Sequence, residues 1–533
     1  MKKNFGLALT GIVLSFSHTS FCQSYAETAL LFSQVRPGGS ARIQAMGGAQ
    51  VSLGGDYSSA SSNPAGLGFY NRSEFAITPA ISLSSASTNY FGTNGNGSKS
   101  SFQIPGISLV LHSDKEGQGG FLGGTFAVTY NRTNDFNRSF SYSGANSTSS
   151  IIDYFINDAT GSPPSTLLAP TSGNPNGGDY HDNPTGLAYN NYLIEDSTFF
   201  NPNGSNLQYA SALGVNYANP SDIRSVMQKE DVTTSGAQNQ LSIAYGANFS
   251  DKFYIGAGVG LSFLSFQSQR VYQESNYKFD LAPTYNPLLN MRLEENLKTT
   301  GTGINASIGI IYRPTDVVQF GASYNSPTFY QLTDNYTANM STKWNNFDYY
   351  GTGNPNDYLN DVSDKTNEIT TPYALQTPSR MNLGMTVFIQ RKGFVSGDIE
   401  FTNYAGATYS TGDGTVDFTR DNAAIKASYQ NAINFRLGGE YRFLTNYRVR
   451  AGYSYMSMPY RSIQNAAGSS SDRISGGFGY RNEKFSIDLA VILSNMKSYY
   501  VPYTLDYNNL HNNPVVDVSH FNMTALITVG FTL

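Results

Sequence analysis

The C-terminal end of the chain carries its clearest pattern. Phe521, Met523, Ala525, Ile527, Val529, Phe531 and Leu533 are apolar, and most residues between them are Asn, Thr or Gly. A period of two predicts a β-strand, because successive side chains on an extended backbone point to opposite faces. A strand crossing a bilayer at a tilt takes about 9 to 11 residues, with apolar positions facing lipid and polar ones facing inward. The same pattern runs through Leu241, Ile243, Tyr245, Ala247 and Phe249, turns at Ser250-Asp251-Lys252, and returns through Phe253, Ile255, Val259, Leu261 and Phe263. Further pairs are expected at 304–312 with 318–324, 381–389 with 395–401, 433–443 with 447–455, and 474–480 with 485–493. Weaker alternation at 75–83, 102–111 and 121–130 adds three more, for fourteen strands in all.

Short turns alternate with long polar connections, the largest at about 139–237. Strict parity of turn length with an even strand number predicts an all-β chain, a transmembrane antiparallel β-barrel with short turns on one side and long loops on the other. Closing the sheet leaves no unpaired edge in lipid. A water-soluble multi-sheet protein has no comparable reason for that parity. If the apolar positions face lipid, the lumen receives Arg380, Glu400, Arg436, Glu440, Arg442 and Arg450, together with Asp398 and Asp488. Both signs meet on adjacent strands. They are read either as salt bridges that stiffen the wall and grip a plug, or as a source of one arginine for an anionic head group.

Composition sharpens this picture. Mean hydropathy is −0.32, and beyond the N-terminus no apolar run reaches the roughly 18 residues of a transmembrane helix. A barrel tolerates such a value, since only about half of its crossing positions face lipid. The net charge of −5, with scattered Lys and Arg, gives no footprint for nucleic acid. Against 38 Tyr and 33 Phe there is 1 Trp, so interfacial girdles must be built from Tyr. Lys2 and Lys3, an apolar core from Phe5 to Phe16, and Ser20-Phe21-Cys22 read as a signal peptide over residues 1–22. Cleavage before Gln23 removes the only cysteine, and Phe21 is a poor lipoprotein residue, leaving a lipid anchor as the minor alternative. Export without disulfides fits a scaffold held by sheet hydrogen bonds.

Residues 23–72 alternate poorly and are rich in small residues, ahead of the barrel at 73–533. They contain Met46-Gly47-Gly48-Ala49 and Asn63-Pro64-Ala65. Here the chain resembles the FadL/TodX/OMPP1 family of outer-membrane transporters of hydrophobic compounds. In that family an N-terminal hatch carries a small-residue stretch and an Asn-Pro-Ala box. Arg436-Leu437-Gly438-Gly439-Glu440-Tyr441-Arg442 and Arg450-Ala451-Gly452-Tyr453 look like its late strands. The resemblance implies a hatch inside the lumen and an outer-membrane location in a Gram-negative-type bacterium. It further implies passive uptake of long-chain fatty acids or aromatic hydrocarbons, with lateral exit at a kink in strand three. Gly123-Gly124 is the candidate kink, or else an ordinary bulge. Ile223, Val226 and Met227, on one face of a short helix after Pro220-Ser221, are candidates for ligand capture in the largest loop.

A FadL-like partner of a type IX secretion or surface-attachment system is the alternative. Its Trp-Asn-Pro-Ala box is replaced here by Ser62-Asn63-Pro64-Ala65, and Trp344 falls in an expected loop. Of the four histidines after the signal, His112, His181, His511 and His520, His181 beside Asp182 is read as a solvated loop pair rather than a catalytic dyad, and His511 with His520 as surface residues rather than axial haem ligands; no spacing suggests a structural metal. The expected partners are a hydrophobic small molecule and outer-membrane lipid, with no cofactor and a monomeric barrel. Without a plug the same wall would be an aqueous porin.

Overall fold

The computed structural model describes residues 25–36, 38–115, 120–168, 182–196, 208–211, 223–279, 286–390, 392–411, 416–461, 470–505 and 513–533. The expected signal peptide, His181 and His511 lie outside them. Fourteen antiparallel strands close into a barrel. They are β1 (Glu74–Tyr90), β2 (Thr93–Asp114), β3 (Phe121–Asp135), β4 (Ile223–Phe249), β5 (Phe253–Phe279), β6 (Leu288–Tyr312) and β7 (Val318–Asn325). The second half comprises β8 (Arg380–Ile389), β9 (Gly393–Asn403), β10 (Asn431–Arg442), β11 (Tyr447–Met456), β12 (Ser471–Arg481), β13 (Phe485–Tyr500) and β14 (Val516–Thr532). Each strand pairs with the next, and β14 returns to β1 from Glu74↔Thr532 to Asn89↔Asp517. Every strand predicted from the sequence has its counterpart. Among the described residues no helix is long and apolar enough to cross a membrane.

The wall's outer face shows why the alternation was readable. On β5, Phe253, Ile255, Val259, Leu261 and Phe263 are exposed, whereas Tyr254 and Ser262 are buried. Apolar side chains outside and packed ones inside suit a wall solvated by hydrocarbon. Ser250 and Asp251 both have positive φ, at 57° and 56°, so the turn's twist matches that of the strands it joins.

The expected long loops are, in large part, strand. β4 and β5 each run for 27 residues, well beyond the apolar band. Above Phe263 the outward positions become Ser265, Gln267 and Gln269, and the inward ones Leu264 and Phe266. The extension keeps the period of two but inverts its phase, because its outer face meets water instead of lipid.

Within the expected loop after β7 lie strands Phe329–Phe347, Leu359–Lys365 and Ile369–Gln376. Pro327 and Pro378 sit side by side where the ladder breaks between Asn325↔Arg380 and Phe329↔Gln376. Neither can donate to a ladder, so the two strands bend together there. Thr328 N donates to Thr377 Oγ1 (2.9 Å) and Thr377 N to Thr328 O (3.0 Å), which carries the sheet across the bend.

The extended wall encloses an outer cap built around helices Ile151–Ala159 and Pro184–Asn190. Trp344, expected in a loop, is buried in this core, with Nε1 donating to Thr342 Oγ1 (3.0 Å). The short helix expected around Ile223, Val226 and Met227 is instead the outer end of β4. Val226 is packed into the cap and Met227 is exposed on the opposite face, so the two do not form one capture surface; the side chain of Ile223 lies outside the description.

Two carboxylates meet at the start of helix Ile151–Ala159. Glu274 accepts from Ile151 N (2.9 Å), and Asp153 accepts from Ser150 N (3.0 Å). Burial, the nearby Glu274 adding to it, pushes Asp153 from an ordinary 3.8 up to about 8. The folded cap therefore holds a proton that the unfolded segment gives up. Its contribution is full below the ordinary value and is lost as pH rises toward 8. Asp153→Asn should flatten the pH dependence of hydrogen exchange across residues 151–159 between pH 5 and 9. Equal slopes in variant and parent would refute this.

Candidate functional site

Residues 25–36 and 38–70 lie inside the barrel, and their lower part is wedged against the wall. Helix Ala41–Ala45 ends in a turn where Gly47 and Gly48 have φ of 67° and 82°. Asn63, fully buried, caps the short 3₁₀ helix Pro64–Phe69 through Ala65 N (3.2 Å) and donates to Val51 O (2.6 Å) and Ile310 O (3.3 Å). Both sequence motifs thus act as joints between this segment and the wall.

The wall receives them with glycines. A methyl group on Gly246 or Gly256 would collide with Pro64, and on Gly309 with Asn63. On Gly321 it would meet Val51, and on Gly438 or Gly452 the Met46-Gly47 backbone. Several are cross-strand neighbours, as in Gly246↔Gly256 and Gly438↔Gly452. Polar contacts fill the intervals: Asp398 accepts from Gln50 N (2.7 Å) and Val51 N (3.0 Å), and Ala41 N donates to Thr528 Oγ1 (2.7 Å).

The predicted charge network is largely assembled here. Arg436 pairs with Glu400 at 2.7 Å; Arg450 pairs with Glu440 and with Asp488, both at 2.7 Å. Arg42 of the N-terminal segment reaches the same Glu440 at 3.3 Å. The wall pairs satisfy one another, and Arg42 ties the N-terminal segment to them. Two members stand apart: Arg380 has no carboxylate within ion-pair distance among the described residues, and Arg442 is exposed at the turn end of β10.

Above the wedge, helix Tyr25–Ser33 stands in an aromatic sleeve. Tyr25 meets Tyr373, Tyr409 and Phe418 edge-on at 5.5, 5.3 and 4.9 Å, and Phe32 meets Phe136 and Phe266 at 5.8 and 5.6 Å. Beside it β3 leaves the wall. The β2–β3 ladder includes Gly123 and Gly124 and runs unbroken from Asp114↔Gly123 to Gly106↔Asn131. The glycine pair marks a one-residue bulge against β4, between Phe121 and Gly123, and not the departure point. Beyond Asn131 the chain bends inward. Strand Arg138–Asn146 continues along β4 while its backbone packs over the inner face of Gly95 and Gly97. The outer half of β2 thus lacks a ladder partner on this side, and Lys99 Nζ spans the gap to Thr234 O at 2.8 Å. Phe102, on that free stretch, is 71% exposed toward lipid.

Against the inward-bent strand lies a mainly apolar cavity of about 150 Å³, lined by Leu31, Phe136, Phe140, Val232, Phe266 and Val518 and also by Arg138, Thr234 and His520. A smaller polar cavity of about 20 Å³ shares Arg138 and His520 and adds Arg36 and Asp135. The residues of this site are far apart in sequence, and the alternation pattern does not mark them.

A closed, plugged fourteen-stranded barrel with an apolar pocket in its lumen defines an outer-membrane transport protein. The chain belongs to the outer membrane protein transport protein family (OMPP1/FadL/TodX), whose model matches residues 171–518. This family is one of hydrophobic-compound transporters of the outer membrane. Among solved structures, a Pseudomonas aeruginosa FadL homologue aligns at a TM-score of 0.55 and 13% identity, over 94% of this chain and 99% of that one. The deltaS2 mutant of the Pseudomonas putida monoaromatic hydrocarbon channel TodX aligns at 0.51 and 13% identity, over 93% and 98%. No curated protein sequence matches the chain at a significant level.

Proposed function

We propose that the chain admits hydrophobic molecules passively, of the fatty-acid or aromatic-hydrocarbon class, with the N-terminal segment as its hatch. The observation that carries this reading is the apolar cavity beside the bent strand. It touches the hatch through Leu31 and the bent strand through Phe136 and Phe140, so a guest entering it contacts both elements at once. An apolar solute gains from leaving water for such a cavity, and no energy source is required. The gap beside β2 gives the guest a side exit toward the exposed face of Phe102. Strand Arg138–Asn146 and helix Tyr25–Ser33 are the parts that shift, while the glycine-seated wedge stays fixed.

Filling the cavity tests this. Val232→Trp should lower retention of an apolar ligand by some thirtyfold, since excluding two to three methylenes at about 0.8 kcal/mol each forfeits about 2 kcal/mol. Native mass spectrometry of the purified barrel, loaded with a defined mixture of fatty acids and alkylbenzenes, provides the measurement. Undiminished retention by a folded Val232→Trp barrel would place the ligand elsewhere and sink the proposal.

A further inference from the structure

The polar end of the pocket carries more positive charge than the molecule balances. Arg132, Arg36 and Arg138 gather around a single carboxylate, Asp135. Arg132 already occupies it at 2.8 Å, and Asp135 also accepts from Asn137 N at 2.9 Å. Arg36 and Arg138 both line the small polar cavity, close enough for their charges to repel. Neither Arg36 nor Arg138 has a carboxylate within ion-pair distance among the described residues, unlike Arg436 and Arg450 on the neighbouring wall. The apolar cavity opens from the same point, since Arg138 and His520 line both spaces.

We propose that this site takes an amphiphile whose polar end is a compact dianion, such as a phosphate monoester, with its head between Arg36 and Arg138 and its chain in the apolar cavity. The proposal rests on the transport reading and adds the chemistry of the head group. A hydrocarbon leaves both guanidiniums unmatched, and a carboxylate matches one. A phosphate monoester carries about −1.5 to −2 charges at neutral pH and has three acceptor oxygens for guanidinium donors. The polar cavity, at about 20 Å³, favours a small head over a sugar-bearing one.

The test uses the purified full chain in non-ionic detergent, with the neutral fluorophore N-phenyl-1-naphthylamine displaced at pH 8 by decyl phosphate, decanoate or decanol. Decyl phosphate should displace at concentrations at least tenfold below the other two. Arg138→Gln should cut that advantage to less than threefold. Arg36→Gln serves as a second variant, and heat-modifiable migration on gels confirms that each barrel is folded. Equal potency of decanoate and decyl phosphate, an advantage that survives both substitutions, or displacement by inorganic phosphate as strong as by decyl phosphate would overturn the proposal. In the first two cases, displacement by decanol leaves the transport reading intact. If no amphiphile displaces the probe, that reading fails as well.

Discussion

A chain lacking residues 24–69 should fold into the membrane and leak. The wall does not depend on the deleted segment for its ladder, because β1 and β14 close it directly from Glu74↔Thr532 to Asn89↔Asp517. What is lost is the filling: the wedge from Ser40 to Phe69 and the helix Tyr25–Ser33, which together occupy the lumen below the outer cap. In planar bilayers the full chain should be nearly silent. The deletion should raise conductance by at least tenfold and admit small sugars to liposomes without selectivity. A silent deletion variant would assign the seal to the outer cap, and the hatch model would then be wrong.

The second large effect is expected from one methyl-bearing side chain at the seat of the wedge. Gly452→Val places a branched side chain where the wall touches the backbone of Met46 and Gly47, and a peptide group cannot rotate aside as a long side chain can. Overpacking typically costs about 1–3 kcal/mol, and the cost is greater where backbone must move. The strain is relieved where the joint at Met46 and Gly47 lifts away from the wall. Arg42, now held by Glu440 and by Gly55 O (3.0 Å), would become a trypsin site, and conductance should rise toward that of the deletion variant. Gly397→Ala is the control, since its added carbon meets nothing closer than 3.7 Å. A trypsin-resistant, silent Gly452→Val barrel would show that the wedge is not rigidly seated.

The fold was readable where lipid dictates chemistry. Every crossing strand had to place apolar side chains at alternate positions, so Phe253 to Phe263 and Phe521 to Leu533 announce themselves. Above the membrane the alternation continues with opposite phase: Leu264 and Phe266 point in, Ser265 and Gln267 point out. A reading keyed to outward apolar residues stops at that inversion, although the continuing period of two was there to be followed. The motifs around Gly47 and Asn63 stood out as small-residue signatures. Their role as joints was not visible, because a glycine facing the lumen differs little in pattern from a glycine in a turn. Arg36 and Arg138 were missed for a geometric reason. They meet only because β3 leaves the wall after Asn131, and nothing local to Arg138 records where its bent strand comes to rest.

The long strands have a consequence of their own. Of the 27 residues of β5, only the stretch from Phe253 to Phe263 presents the apolar band. The remainder, at about 3.3 Å per residue and a tilt of roughly 40°, lifts the capped mouth some 40 Å above the lipid surface. The protein is thus a standpipe. On the proposed route, a molecule entering at its top starts well out from the lipid surface. The polar layer beside the extended wall is then bypassed, because the guest crosses that depth inside the protein.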